Sequence, residues 1–446
     1  MRLAGTLLAA SVVLAGCLAP SQTLPPPAPD EGPTEPEALA FLPAVFVDAV
    51  RVASEPSVKV ARDGTIYVAG PTGTIKYATR PQDAIPNARE GGILQGGIWV
   101  SRDGGLTFAY SAGLGPSPYQ SAQPGGGDSD IAIDGNGRVY VTDQMGLAAE
   151  HVKYSDDGGR TWTASTTPGS ADITPVDRQW LRSDPDEPGH VYLNFNNIGN
   201  GIAVTQTRDG GATWSGRVVT SRSTAPGPLV TLPGGFVGFS YYEGGLFFTR
   251  SDDHGRTWSD VEIPGVGGLT DFFPVAFGDA AGTLYISWAE RRGSDSALAY
   301  AVSVDRGRTW SEPRTLAQVP GIMLFSWGVG GDAGRAGFVW YEAPDPNGEW
   351  YEEAAVALGL DGPEPRVVRA RVQPEAVRVG PPCTSGSTCT SGREFGDFQM
   401  VSVTPDGFLV VAYVQVLSAF DGGRLVFAKQ AAGPRLFDAP PATWIW

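Results

Sequence analysis

Asp130, Arg178, Tyr242, Trp288, Arg291, Tyr341 and Asp397 are the residue types of this 446-residue chain that together could hold a sugar. Carboxylates and guanidinium groups pair with hydroxyls, while indole and phenol rings pack on the apolar face of a pyranose. The same residues have an architectural reading. Asp, Arg and Tyr at strand ends also tie neighbouring loops together, and the Asp177–Arg178 pair of "DRQW" is of the kind that holds two strands in register. What decides between the readings is which elements bring the residues to one place.

Those elements are announced by repetition. The octet "SDDGGRTW" at Ser155–Trp162 returns as "SRDGGLTF", "TRDGGATW", "SDDHGRTW" and "SVDRGRTW". Its Asp (Asp103, Asp157, Asp209, Asp253 or Asp305) and its Ser or Thr can accept hydrogen bonds from nearby backbone N–H groups and close a turn. Five copies argue for a fastening, because an active site is built once. Ahead of each octet stands an apolar run, a Gly-bearing turn and a second apolar run, as in "IAIDGNGRVYVTD" and "AFGDAAGTLYISW". Hairpins of this type number seven, and the units begin near Glu55, Asp128, Asp177, Gly227, Asp271, Phe325 and Asp397. A repeat of roughly 45–55 residues predicts an all-β fold, a β-propeller of four-stranded antiparallel blades, with seven blades favoured and six as the alternative. "AVFVDAVRV" is placed to close the ring by joining the last blade. In such a ring the strand starts and ends named above share the face around the central channel.

The octets resemble Asp-boxes, the bacterial neuraminidase repeats of sialidases and many other propellers. The resemblance covers the chain from about Glu55 onward and implies that the boxes lie on the face away from the ligand. For a sialidase it would further imply three arginines gripping a substrate carboxylate, for which Arg178, Arg291 or Arg292, and Arg393 are the candidates. It would ask for a Tyr nucleophile paired with a Glu, here Tyr341 with Glu342 or, better placed, with Glu290 or Glu243, and for Asp130 as the acid. The sequence departs from that family at its start. Sialidases carry a "F/Y-R-I/L-P" motif before the first box, and the corresponding stretch here is "VRVASEPSVKV".

Composition bounds the rest. A net charge of −16 excludes nucleic acid, whose phosphates require clustered Lys and Arg. Residues 1–16 read as a signal peptide, with Leu14-Ala15-Gly16-Cys17 resembling a lipobox and Cys17 the expected lipidated residue. Residues 17–42, Pro-rich and acidic, read as a stalk, and 43–446 as the propeller. An exported compartment permits a disulfide between Cys383 and Cys389. No metal ligand set is read, since His151, His190 and His254 are scattered; Asp128 and Asp130 are oxygen ligands that calcium could take, but no loop has a calcium spacing, and no cofactor is expected. The expectation is a monomeric, exported, lipid-anchored module that binds a glycan or protein on the channel face. Sialidase-like hydrolysis of acidic sugars and a scaffolding role are the alternatives.

Overall fold

Strands such as Ile66–Pro71, Leu284–Arg292 and Leu409–Val416 are apolar along most of their length rather than alternating, which is what a sheet packed on both faces requires. The computed structural model describes residues 38–49, 51–72, 96–111, 128–145, 149–165, 176–216, 218–221, 225–416 and 422–441. Within them seven antiparallel sheets follow one another around the chain. The signal-like segment, Cys17 and most of the stretch read as stalk lie outside the described residues.

The inner strands of blades 1 to 7 are Ser57–Val60, Ser129–Ile133, Val176–Ser183, Val230–Leu232, Val275–Gly278, Ile322–Gly330 and Met400–Val403, each followed outward by its hairpin partner and a third strand. These are the seven units read from sequence, so the ring has seven blades. Blades 1 to 6 take their fourth strand from the chain that follows the third. In blade 7 the strand Gly423–Ala432 pairs instead with Ala40–Phe41 and with Val45–Phe46. The N-terminal segment thus closes the ring, and the pairing begins inside the stretch 17–42. Closure covers the edge that strand 423–432 would otherwise present.

All five octets join a third strand to a fourth and fold alike. In blade 2 the Ser155 hydroxyl donates to Asp157 Oδ1 (2.8 Å) and accepts from Gly159 N (2.8 Å), while Arg160 N and Thr161 N donate to the same Asp157 oxygen and the Thr161 hydroxyl to the other (2.6 Å). The box aromatic then reaches the preceding blade. Trp162 donates to Ser111 of blade 1, Trp214 to Ser165 of blade 2, Trp258 packs on a cluster that joins Tyr192, Ile202 and Val204 of blade 3 to Phe239 of its own blade, Trp310 packs on Phe248 of blade 4, and Phe108 on Phe427 of blade 7. Each octet therefore closes its own turn and rivets its blade to the one before.

Candidate ligand site at the channel mouth

At the opposite ends of the inner strands the chain is strained. Among the described residues, five that are not glycine have left-handed backbone: Glu55 (φ 50°), Arg178 (59°), His254 (56°), Arg306 (62°) and Phe325 (56°). His254 and Arg306 occupy the octet position that is Gly104, Gly158 and Gly210 in the other boxes, so the turn accounts for them. The remaining three stand where inner strands begin, at one mouth of the channel. Arg178 and Phe325 lie within register shifts, between Asp177 and Trp180 in blade 3 and between Leu324 and Trp327 in blade 6. A bulge of this kind re-aims a side chain that regular pairing would send elsewhere.

The re-aimed groups form one ionic cluster. Arg178 is ion-paired with Asp397, with Asp128 Oδ2 at 3.5 Å and with Asp177 Oδ2 at 3.6 Å. Arg393 shares Asp397 and lies 3.5 Å from Glu55 Oε1, and behind it Arg378 binds Glu394 Oε2 at 2.5 Å. Burial, reinforced by Asp397, pushes the Glu55 carboxyl up; burial and then Glu55 push Asp128 well above the usual carboxylate range. The two side chains hydrogen-bond to each other. Asp177, displaced by burial and then by Asp128, titrates at about 6.

Beneath the cluster the channel is filled. The Trp180 ring lies 5.3 Å from Phe273, 5.3 Å from Trp327 and 5.0 Å from Phe398, and its Nε1 donates to Pro226 O (2.8 Å). Phe272, half-buried, stacks on Phe325 at 6.0 Å and lies 5.6 Å from the Arg178 guanidinium. Asp271 accepts from Ala289 N (2.8 Å) and from the Ser326 amide and hydroxyl, fixing blade 5 to blade 6.

Of the residues chosen from sequence, Arg178 and Asp397 meet here, joined by Glu55, Asp128 and Arg393. Asp130 is buried on its strand, and its Oδ2 accepts from Leu181 N (2.8 Å) of the next blade. Trp288 is fully buried and donates to Glu290 Oε2 (2.9 Å), whose other oxygen accepts from Arg292 (2.7 Å). Arg291 is exposed and donates to Gly321 O (3.0 Å). Tyr242 is half-buried at the end of its strand. Tyr341 is fully buried, stacked on Phe395 at 4.1 Å, and its oxygen accepts from Val414 N (2.8 Å). Cys383 and Cys389 form the expected disulfide. The aromatic plug was missed, although "DFF" at Asp271–Phe273 and "DF" at Asp397–Phe398 mark two of its members at equivalent places. The histidines need correction: His190 and His254 are not scattered, their rings lying 5.5 Å apart.

The description BNR/Asp-box repeat belongs to the family model that matches residues 153–164, the octet of blade 2. A curated xyloglucanase from Paenibacillus sp is 26% identical over 246 residues, 52% of this chain and 19% of that protein, so the chain spans about a fifth of its length. Similar solved structures include the NanB sialidase from Streptococcus pneumoniae (13% identity, TM-score 0.46, 88% of this chain and 70% of that one). Others are the α-L-arabinofuranosidase of Fusarium graminearum (14%, 0.48, 88% and 98%) and a protein of unknown function from Dyadobacter fermentans (14%, 0.48, 89% and 99%).

Proposed function

We infer that the protein is a ligand-binding propeller whose ligand, a glycan, docks over the channel mouth at Asp177, Phe272 and Arg393. The observation that carries this reading is the convergence of Glu55, Arg178 and Phe325, three strained residues from three blades, on one spot. Left-handed backbone at a bulky residue is costly and persists where the surrounding fold enforces it, typically at a working surface. The half-buried Phe272 ring beside charged hydrogen-bonding groups suits a sugar ring and its hydroxyls. Against a sialidase-type grip stands the pairing of Arg178 and Arg393 with the protein's own carboxylates, which leaves neither cation uncommitted for an acidic sugar. The xyloglucanase relative supports a glycan as the ligand class. The test is a glycan array probed with wild type, Asp177→Asn and Phe272→Ala. Binding lowered at least about tenfold in both variants fits loss of a polar contact and a stacking face; equal binding by all three would remove the site from this face.

A second reading, glycoside hydrolysis, has one observation in its favour. General acid catalysis asks for a carboxyl displaced upward beside a second acidic group, and Glu55 and Asp128, both pushed up by burial and by neighbouring carboxylates, are such a pair. Release of a fluorophore from neutral aryl glycosides, abolished by Glu55→Gln and by Asp128→Asn, would establish it.

We further propose export and anchoring through a lipid on Cys17. The disulfide supports an oxidising compartment. Incorporation of labelled palmitate that disappears in Cys17→Ala is the expected result.

A further inference from the structure

We propose that Asp184, His190 and His254, with Glu187 as a fourth ligand, form a structural site for a divalent transition-metal ion, zinc, that clamps blade 3 to blade 4 on the face away from the channel mouth. Asp184, Glu187 and His190 lie on the turn that links the first two strands of blade 3. His254 belongs to the octet of blade 4.

An internal comparison shows what is unusual here. In blades 2 and 5 the corresponding turns begin with Asp134 and Asp279. One carboxylate oxygen of each accepts from amides of its own turn; the other accepts from a Tyr hydroxyl (Tyr140, Tyr285) and from a backbone amide of the next blade, Gly189 N at 3.0 Å and Gly334 N at 2.8 Å. Asp184 repeats the pattern through Asp186 N (2.9 Å), Glu187 N (3.2 Å) and the Tyr192 hydroxyl (3.0 Å). Where a next-blade amide approaches in the other two, His254 Nδ1 stands at 3.2 Å from Asp184 Oδ2 and His190 Nδ1 at 3.4 Å.

The hydrogen bonds fix which nitrogen of His190 is free. Gln206 donates through Nε2 to His254 O (3.0 Å), so its Oε1 is left to accept from His190 Nε2 (2.6 Å). The proton of a neutral His190 is therefore on Nε2. Nδ1, on a side chain only 1% exposed, is a lone pair without a hydrogen-bond partner, aimed at Asp184 Oδ2 and at Glu187 Oε2 3.1 Å away. Asp184 Oδ2 also meets the Tyr192 hydroxyl and His254 Nδ1, and Glu187 Oε2 accepts from Arg208 Nη1 (2.9 Å), but the His190 lone pair faces both oxygens with no donor of its own, and a proton or a metal cation between them would relieve the repulsion. Bonds of about 2.0–2.2 Å set neighbouring ligands of a tetrahedral zinc roughly 3.4 Å apart. The 3.1, 3.2 and 3.4 Å separations match that edge, and the ligand atoms of Asp184, His190 and His254 all lie within 4.8 Å of one another. Mixed imidazole and carboxylate ligation favours zinc among the common divalent ions, and Gln206 behind His190 supplies the outer hydrogen bond that orients a metal-bound ring.

The test exploits the octet. His254→Gly installs the residue that three sister boxes carry, so it removes a ligand while leaving a turn the chain already folds; His190→Gln is the second variant. The purified chain, stripped with EDTA and dialysed against Zn²⁺, is examined for bound zinc by mass spectrometry and for thermal stability. The expected result is one zinc per wild-type chain, with a Tm rise of roughly 2–4 °C at saturation, and loss of both in each variant. Failure of wild type to retain zinc, or retention undiminished in His254→Gly, would overturn the site.

Discussion

Arg178 and Asp397, 219 residues apart in sequence, are paired across the channel mouth, tying the inner strand of blade 3 to the start of blade 7. The Arg178 side chain is 12% exposed and that of Asp397 1%, so neither charge can turn to water if its partner is lost. Arg178→Ala leaves Asp397, Asp128 and Asp177 facing one another with a single remaining arginine. Breaking a buried pair of this kind costs about 3–5 kcal/mol. Urea unfolding should show the drop; a loss under about 1 kcal/mol would mean that the cluster is wetter and looser than its geometry indicates.

Tyr341 separates architecture from chemistry. Its oxygen accepts from Val414 N of blade 7, and its ring is sandwiched in the core against Phe395. Tyr341→Phe orphans that buried amide and should lower stability by about 1–3 kcal/mol. Affinity for any ligand of the mouth should stay within twofold of wild type. A variant of unchanged stability that no longer bound or turned over a glycan would restore Tyr341 as a functional group.

The seven blades were legible because each repeats a turn whose chemistry is local. Gly positions, the Asp and Ser of the octet and the flanking β-branched runs act within eight residues, so each copy reports its own fold. The site was legible only in part, because its geometry is set between blades. Asp397 and Arg178 could be named as strand-start residues, but their pairing depends on a ring closed 219 residues later. Trp288 and Tyr341 looked like sugar platforms and are buried in the packing between sheets, where an aromatic residue at a strand end also belongs. The bulges that re-aim Arg178 and Phe325 leave no local trace, since neither residue is a glycine.

Buried carboxyls fix the pH dependence of stability. Burial carries Asp143 to about 7, against the pull of the Gly96 amide, and Asp271 to about 6, against bonds from Ser326 and Ala289; Asp177 lies at about 6 as well. In the unfolded chain each titrates near about 3.9. The native state therefore binds more protons between about pH 4 and 7, and stability from these groups is full below that window and lost as pH rises through it. Asp209 works in the opposite sense: its bonds from the Thr213 hydroxyl and amide hold it at about 2, so its contribution is present above about pH 4 and lost on acidification toward 2. Thermal unfolding should give a maximum near pH 4–5 and a Tm lower by roughly 5 °C at pH 8. Asp143→Asn, which keeps an acceptor for Gly96 N, should flatten the alkaline limb; an equally steep limb in that variant would assign the effect to other groups.

The Cys383–Cys389 disulfide closes a loop of six residues' separation immediately before Arg393, Glu394 and Asp397. Cys383 N donates to Gly392 O (2.7 Å), and Arg378, bonded to Glu394, also donates to Gly380 O (3.0 Å) and Pro381 O (3.1 Å). The covalent link and these hydrogen bonds hold the same segment, so the disulfide restricts the backbone that delivers Asp397 to Arg178. For so short a loop the chain-entropy gain is about 2 kcal/mol. Cys383→Ser/Cys389→Ser should lose that much stability. If the loop's order also positions Arg393 and Asp397, glycan affinity should fall beyond what the stability change alone produces at a temperature where both proteins are fully folded. Wild-type affinity in the double variant would confine the disulfide to stability and separate the loop from the ligand face.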